Sequence, residues 1–169
     1  MSTNFLKEYS LNGYFTIKNV FSSADIYHLK NEIKVAKNVD KYFDKNGKIR
    51  RIEKIFNKGK KLNFLNEEII KILKNIFKED YIIFKDKFNA KPPGGEGFSA
   101  HYDGIFIFKD KKNLNKKGWN EYTDHFINVL VALDICNKKN GSIEISKIHN
   151  DNFNNLLLNT KNNVTPDLL

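Results

Sequence analysis

Cysteine is all but absent. Cys136 is the single one among 169 residues, so no disulfide can close within the chain and a reducing cytoplasm is the expected compartment. With no motif around it, Cys136 reads as packing rather than as a nucleophile. Arginine is almost as scarce, confined to Arg50 and Arg51, so the formal charge of +9 comes from lysine scattered among asparagines. A surface that reads phosphates or base edges favours arginine forks gathered on one face. Nucleic acid is therefore not the expected partner, and the densest basic run, Lys45 to Lys61, reads as a solvated face. No apolar run approaches the roughly 20 residues that span a bilayer. Met1 to Gly13 also lacks the basic-then-apolar layout of a secretory leader, so no membrane partner is expected.

What is present suits a globular protein. Apolar residues make up 40% and aromatic residues 13%, enough for a core, and the length suits a single domain spanning residues 1–169.

Gly13 to Val20 has the composition of a short strand. Ser22 with Asp25 three residues on is a capping-box pattern, and Ile26, Leu29, Ile33 and Ala36 recur at helical spacing, predicting a helix to about Asn38. His28 on that helix has no obvious partner and is given no role. Val39 to Lys61, polar and broken by Gly47 and Gly59, reads as loops with one short element. Asn66 is the expected cap of a second helix with Ile69, Ile70, Leu73, Ile76 and Phe77 on its apolar stripe.

From Tyr81 the period changes to two. Tyr81 to Lys91 reads as a strand, Pro92 to Gly97 as a turn, and Phe98 to Phe108 as a second strand. Lys109 to Asp124 reads as a charged loop. In it, Trp119 and Tyr122 are substrate-lid candidates; an equal reading is a tryptophan that pins the loop. Phe126 to Asp134 is the most apolar stretch and the expected central strand. Asn140-Gly141 is a tight-turn signal, with a returning strand from Ser142 to Ser146. Helices first and strands afterwards predict an α+β fold. Its expected core is a jelly-roll or cupin-like β structure, a double-stranded β-helix, with the N-terminal helices packed outside.

One stretch carries chemistry. On a strand, His101 and Asp103 point the same way, about 7 Å apart along the backbone. An imidazole and a carboxylate on one strand face are two thirds of the 2-His-1-carboxylate triad that holds non-haem Fe(II).

Set in order, these segments resemble the phytanoyl-CoA dioxygenase family of iron- and 2-oxoglutarate-dependent oxygenases. The likeness runs from Gly13-Tyr14-Phe15-Thr16-Ile17-Lys18-Asn19-Val20-Phe21-Ser22 through Lys87-Phe88-Asn89 and the Pro/Gly turn to His101-x-Asp103. It continues through Val129 to Asp134 and Asn140-Gly141-Ser142 to Ser146-Lys147-Ile148-His149, which stands where many members have Pro-Gly-Ser-His. The resemblance implies that His101 and Asp103 are iron ligands and that Lys87 reaches a carboxylate of 2-oxoglutarate. It further implies that Phe98 packs against that cosubstrate and that Asn89 lines the same pocket. The implied reaction consumes O₂ and 2-oxoglutarate, releases succinate and hydroxylates a small organic substrate.

The family's third ligand is a later histidine, followed by an arginine. No arginine follows Arg51 here, and four strands are expected from Tyr81 to Ser146 where a closed barrel uses roughly eight. The expectation is an incomplete core, with a second chain or copy completing it. His149 is the candidate third donor within the chain, although it matches the Pro-Gly-Ser-His histidine rather than the family's ligand. His125, expected to face solvent, is the weaker candidate. Two other readings stand beside the oxygenase: a non-catalytic β-domain used for binding or assembly, and a basic nucleic-acid-associated domain.

Overall fold

The sequence from Ser22 onward has a reason to be helical, and the computed structural model shows how it is used. The structure describes residues 2–94, 101, 103, 107–123 and 125–145. Ser22 accepts from the Asp25 amide at 3.1 Å, while the Asp25 carboxylate takes the Ser22 amide at 3.2 Å and its hydroxyl at 2.6 Å. This reciprocal box satisfies donors that a helix start leaves open. The helix it opens, α2, spans Ser23–Val35 and buries Leu29 and Ile33. Before it lies a helix that the sequence reading missed, α1 (Ser2–Asn12).

Gly13 to Val20, expected as a strand, is not one. Phe15 is instead part of an aromatic cluster, 5.2 Å from Phe5 and 6.2 Å from Phe77 between ring centres, and Tyr9 meets Phe77 edge-on at 5.2 Å. Asn19, at φ +58, turns the backbone out of an extended path.

The polar stretch expected as loops is a hairpin. Strands β1 (Asp40–Phe43) and β2 (Ile49–Glu53) pair antiparallel. Their turn is built by Asp44, whose carboxylate accepts from the Asn46 and Lys48 amides at 2.9 Å, and by Gly47 at φ +73. A register shift opposite Tyr42 and Phe43 returns Ile49 to the apolar face.

Helix α3 runs over Lys60–Phe77 and begins well before Asn66. Its N-cap, Gly59, has no side chain to offer. The Glu32 carboxylate of α2 supplies the cap, accepting from the Lys61 and Leu62 amides at 2.8 and 3.0 Å. This cap comes from 29 positions upstream, so a local reading of the sequence could not place the helix start. Lys78 ends α3 in the left-handed conformation.

Of the strand expected from Tyr81 to Lys91, only β3 (Lys87–Asn89) forms a ladder. Tyr81 packs on Phe77 instead. Ahead of β3, the Asp86 carboxylate accepts from the Ile55 and Phe56 amides at 2.7 and 2.8 Å. The three strands form one antiparallel sheet in the order β1-β2-β3. Ile52 sits opposite Phe88, while Arg51 sits opposite Tyr42 and Asn89, and Glu53 opposite Lys87. The Ile52 face takes the core: Leu29, Ile33, Ile52, Ile55 and Leu62 are buried together, with Val39, Leu65, Phe88 and Leu133 packed against them. Both helices thus cover one face of the sheet, as expected, and the other face is polar.

Beyond residue 95 the expected strands are shorter or absent among the described residues. The first compact unit takes in Met1–Gly95 and Leu133–Ile143, the second Glu96–Ala132 and Glu144–Leu169. In the second, the charged loop is a hairpin, β4 (Ile107–Lys109) with β5 (Asn115–Lys117), followed by a 3₁₀ turn at Gly118–Glu121. Asp110 builds this turn as Asp44 builds the first, accepting from the Lys112 and Leu114 amides. The described residues of Phe126 to Asp134 and of Ser142 to Ser146 carry no ladder. A strand is defined by its neighbour, and these segments have apolar side chains without a strand pairing to them among the described residues. Asn140-Gly141 is a turn as expected, with Gly141 at φ +75 and its carbonyl taking a hydrogen bond from Lys91 Nζ. The observed class is α+β with small antiparallel sheets.

Candidate functional site

The His-x-Asp pair lies in the second unit. His101 Nε2 stands 3.6 Å from Asp103 Oδ1, with a quarter of the imidazole and just over a third of the carboxylate exposed. The two groups converge, but not on the strand expected from Phe98 to Phe108: His101 lies in no ladder and Asp103 in a turn. Asn128 Nδ2 donates to the other carboxylate oxygen, Oδ2, at 3.0 Å. That bond fixes the carboxylate plane and leaves Oδ1 as the oxygen nearest the imidazole. Sequence reasoning passed over Asn128. Its signal was an amide alone within an otherwise apolar run, where a polar side chain calls for a partner.

The pair passes a simple test as a ligand set. Two donors bound to one ion at about 2.1 Å stand between about 3 and 4.2 Å apart, depending on the angle between them. The observed 3.6 Å lies inside that range, and one imidazole with one carboxylate is a donor pair of the non-haem iron type. Among the described residues no group of three or more His, Cys, Asp or Glu side chains gathers. His149 lies outside the described residues, as does Phe98. His125 is exposed, as expected; its amide is bonded to Thr123 Oγ1 at 3.3 Å.

The lid candidates differ from each other. Trp119 is half-buried and meets the Phe126 ring edge-on at 5.0 Å. Tyr122 is exposed, its amide bonded to the Trp119 carbonyl at 2.9 Å.

Lys87 and Asn89 lie in the first unit, on β3, and share its polar face. The register brings a residue that the sequence reading left unassigned onto that face: Arg51, opposite Asn89. Its guanidinium lies 4.4 Å over the Tyr42 ring and its Nε is 3.2 Å from Glu53 Oε1. Arg51 is only 7% exposed, the one charged residue buried so deeply among those described. Part of the signal was available: Arg51-Ile52-Glu53 alternates polar and apolar, and a strand reading there would have put Arg51 and Glu53 on one face.

The family model for phytanoyl-CoA dioxygenase matches residues 9–147. The chain belongs to the phytanoyl-CoA dioxygenase family. This span contains Lys87, Asn89, Phe98, His101, Asp103, Trp119 and Tyr122, and ends two positions short of His149. No curated protein and no solved structure gives a significant match. The family suggests a dioxygenase-type function, and its members in general depend on Fe(II) and 2-oxoglutarate.

Proposed function

We propose that this chain is an Fe(II)- and 2-oxoglutarate-dependent oxygenase domain that hydroxylates a small organic substrate. The observation that carries the reading is the convergence of His101 Nε2 and Asp103 Oδ1 at 3.6 Å, within a matched family span. His101 and Asp103 are assigned as iron ligands, with His149 the candidate third donor within the chain. Lys87, Asn89 and Phe98 are assigned to the cosubstrate; Trp119 and Tyr122 to the substrate side. When bound, the metal and 2-oxoglutarate supply oxidative decarboxylation coupled to hydroxylation by O₂.

The chain's own residues supply orientation. Asn128 holds the Asp103 carboxylate by its Oδ2, so that Oδ1 stays turned to the imidazole. Lys87 offers a cation at an exposed position on β3, suited to a carboxylate, and Asn89 an amide on the same face. The full fold in this reading is a double-stranded β-helix over residues 1–169, completed by a second chain or copy. The lone cysteine fits a reducing cytoplasm, and among the described residues no helix is long and apolar enough to cross a membrane.

Titration with Co(II), a spectroscopic surrogate for Fe(II), tests the assignment. We expect saturable binding followed by visible absorption, abolished in His101→Ala and weakened several-fold in Asn128→Ala. Equal Co(II) spectra for wild type and His101→Ala would remove the metal and leave a non-catalytic β-domain.

A further inference from the structure

The three-stranded sheet sorts its charges to opposite ends. Asp40 sits opposite Glu53, and Asp86 comes just before Lys87, the other residue opposite Glu53, so the carboxylates gather at one end. At the far end the Asp44 turn leads into Ile49. There the Ala90 amide donates to the Arg50 carbonyl at 2.9 Å, placing Lys91 next to the start of β2. Lys91 Nζ donates to the Gly141 carbonyl, which holds the turn over residues 137–141 at this same end.

This end presents cations with little to neutralise them. Asp44 is the only acid within residues 41–50, 87–95 and 135–143, and it is half-buried and turned onto two backbone amides. In the second turn, asparagines do the same work without charge. Asn137 Oδ1 accepts from the Lys139 amide at 2.9 Å, and Asn140 Oδ1 from the Asn137 amide at 2.8 Å. Lys48, Lys138 and Lys139 are exposed and form no ion pair among the described residues. Beside these lysines stand Phe43, Ile135 and Ile143, each at least half exposed.

We propose that this end of the sheet rests on an anionic lipid surface. Its lysines face the headgroups, while Phe43, Ile135 and Ile143 enter the boundary with the acyl chains. Two features favour lipid over nucleic acid. The isoleucines offer no ring for a base to stack on, yet they gain from leaving water. The exposed cations are lysines on two separate turns, point charges suited to a diffuse field rather than forks aimed at one phosphate. The lack of a long apolar run argues against spanning a bilayer and has no bearing on contact with its surface.

Flotation of the full chain with vesicles tests this without metal or cosubstrate. We expect binding to phosphatidylcholine vesicles that contain phosphatidylserine, none to phosphatidylcholine alone, and release as salt rises. Reversing both lysines of the second turn, Lys138→Glu with Lys139→Glu, should weaken binding about tenfold or more, and Lys48→Glu in the first turn about threefold. Ile135→Ser should cost about threefold and leave the salt dependence in place. The same charge change placed elsewhere, Lys7→Glu with Lys18→Glu, should alter binding less than about twofold; circular dichroism confirms that each variant is folded. No binding to anionic vesicles, equal binding to neutral ones, or an equal loss from the Lys7 and Lys18 reversals would each overturn the proposal. Tighter binding to duplex DNA than to anionic vesicles would overturn it in favour of nucleic acid.

Discussion

Two regions of this chain are rich in apolar residues and differ in how much of that surface they bury. In the region from α2 to β3, Leu29, Ile33, Ile52 and Leu62 are all at most 4% exposed. In the stretch from Phe126 to Ile145, Leu130 is 66% exposed and Ile135 84%. The difference is not hydrophobicity but how the backbone is paired. Around the first core several polar ends are answered by side chains: the box at Ser22, Glu32 at the start of α3, Asp44 in the hairpin and Asp86 beside Ile55. The later stretch has apolar side chains and, among its described residues, no ladder. Burial requires a partner that also takes the amides and carbonyls.

This contrast can be broken experimentally, beginning where the effect is largest. Ile52→Ala should cost about 2–5 kcal/mol, as expected for deleting a core β-branched side chain, read as a lower midpoint in urea. A cost under about 0.5 kcal/mol, the range of ordinary surface changes, would mean that the Ile52 face is not the core.

Gly59→Ala comes next. A Cβ there would lie 2.2 Å from Glu32 Oε2, and Gly59 itself is extended, so the penalty is eviction of the cap rather than backbone strain. We expect about 1–3 kcal/mol, the cost of leaving helix-end donors unanswered. Glu32→Ala should reproduce most of it. Additive losses in the double variant would show that the two residues act separately.

Ser22→Ala should cost about 1 kcal/mol through loss of the cap. It also carries a pH signature. The Ser22 hydroxyl, and after it Lys61, hold the Asp25 carboxyl down from its usual 3.8 to about 2. The folded value lies below the unfolded one, so the stabilisation is full above about pH 4 and lost as pH falls toward 2. Thermal midpoints across that interval should fall less steeply in Ser22→Ala than in wild type. The smallest effect is expected at Val129→Ala, within about 0.5 kcal/mol, as for an exposed site. A loss as large as that of Ile52→Ala would erase the distinction between the two regions.

Signals confined to a few adjacent residues were legible in the sequence. Ser22 with Asp25, the stripe of α2 and the Asn140-Gly141 turn all depend on neighbours in the chain. What escaped depends on distant partners. The start of α3 is set by Glu32. The hairpin of β1 and β2 was hidden because only one of its faces meets the core, leaving Asp40 to Phe43 reading as polar. Phe15 looked like a strand residue because its real use, against Phe5 and Phe77, involves rings from two helices. Arg51 and Asn128 were passed over for the same reason: each gains meaning from a residue opposite or far along, Asn89 in one case and Asp103 in the other.

The clasp at Asp86 has a consequence for the chemistry assigned to β3. In a ladder, sliding by one position exchanges the two faces of a strand. Such a slip would turn Phe88 outward and drive Lys87 and Asn89 into the oily side of the sheet. The carboxylate one step before Lys87, anchored on two amides some thirty residues away, keeps the strand in phase, so the residue that sets which way Lys87 faces is one that need never touch a ligand.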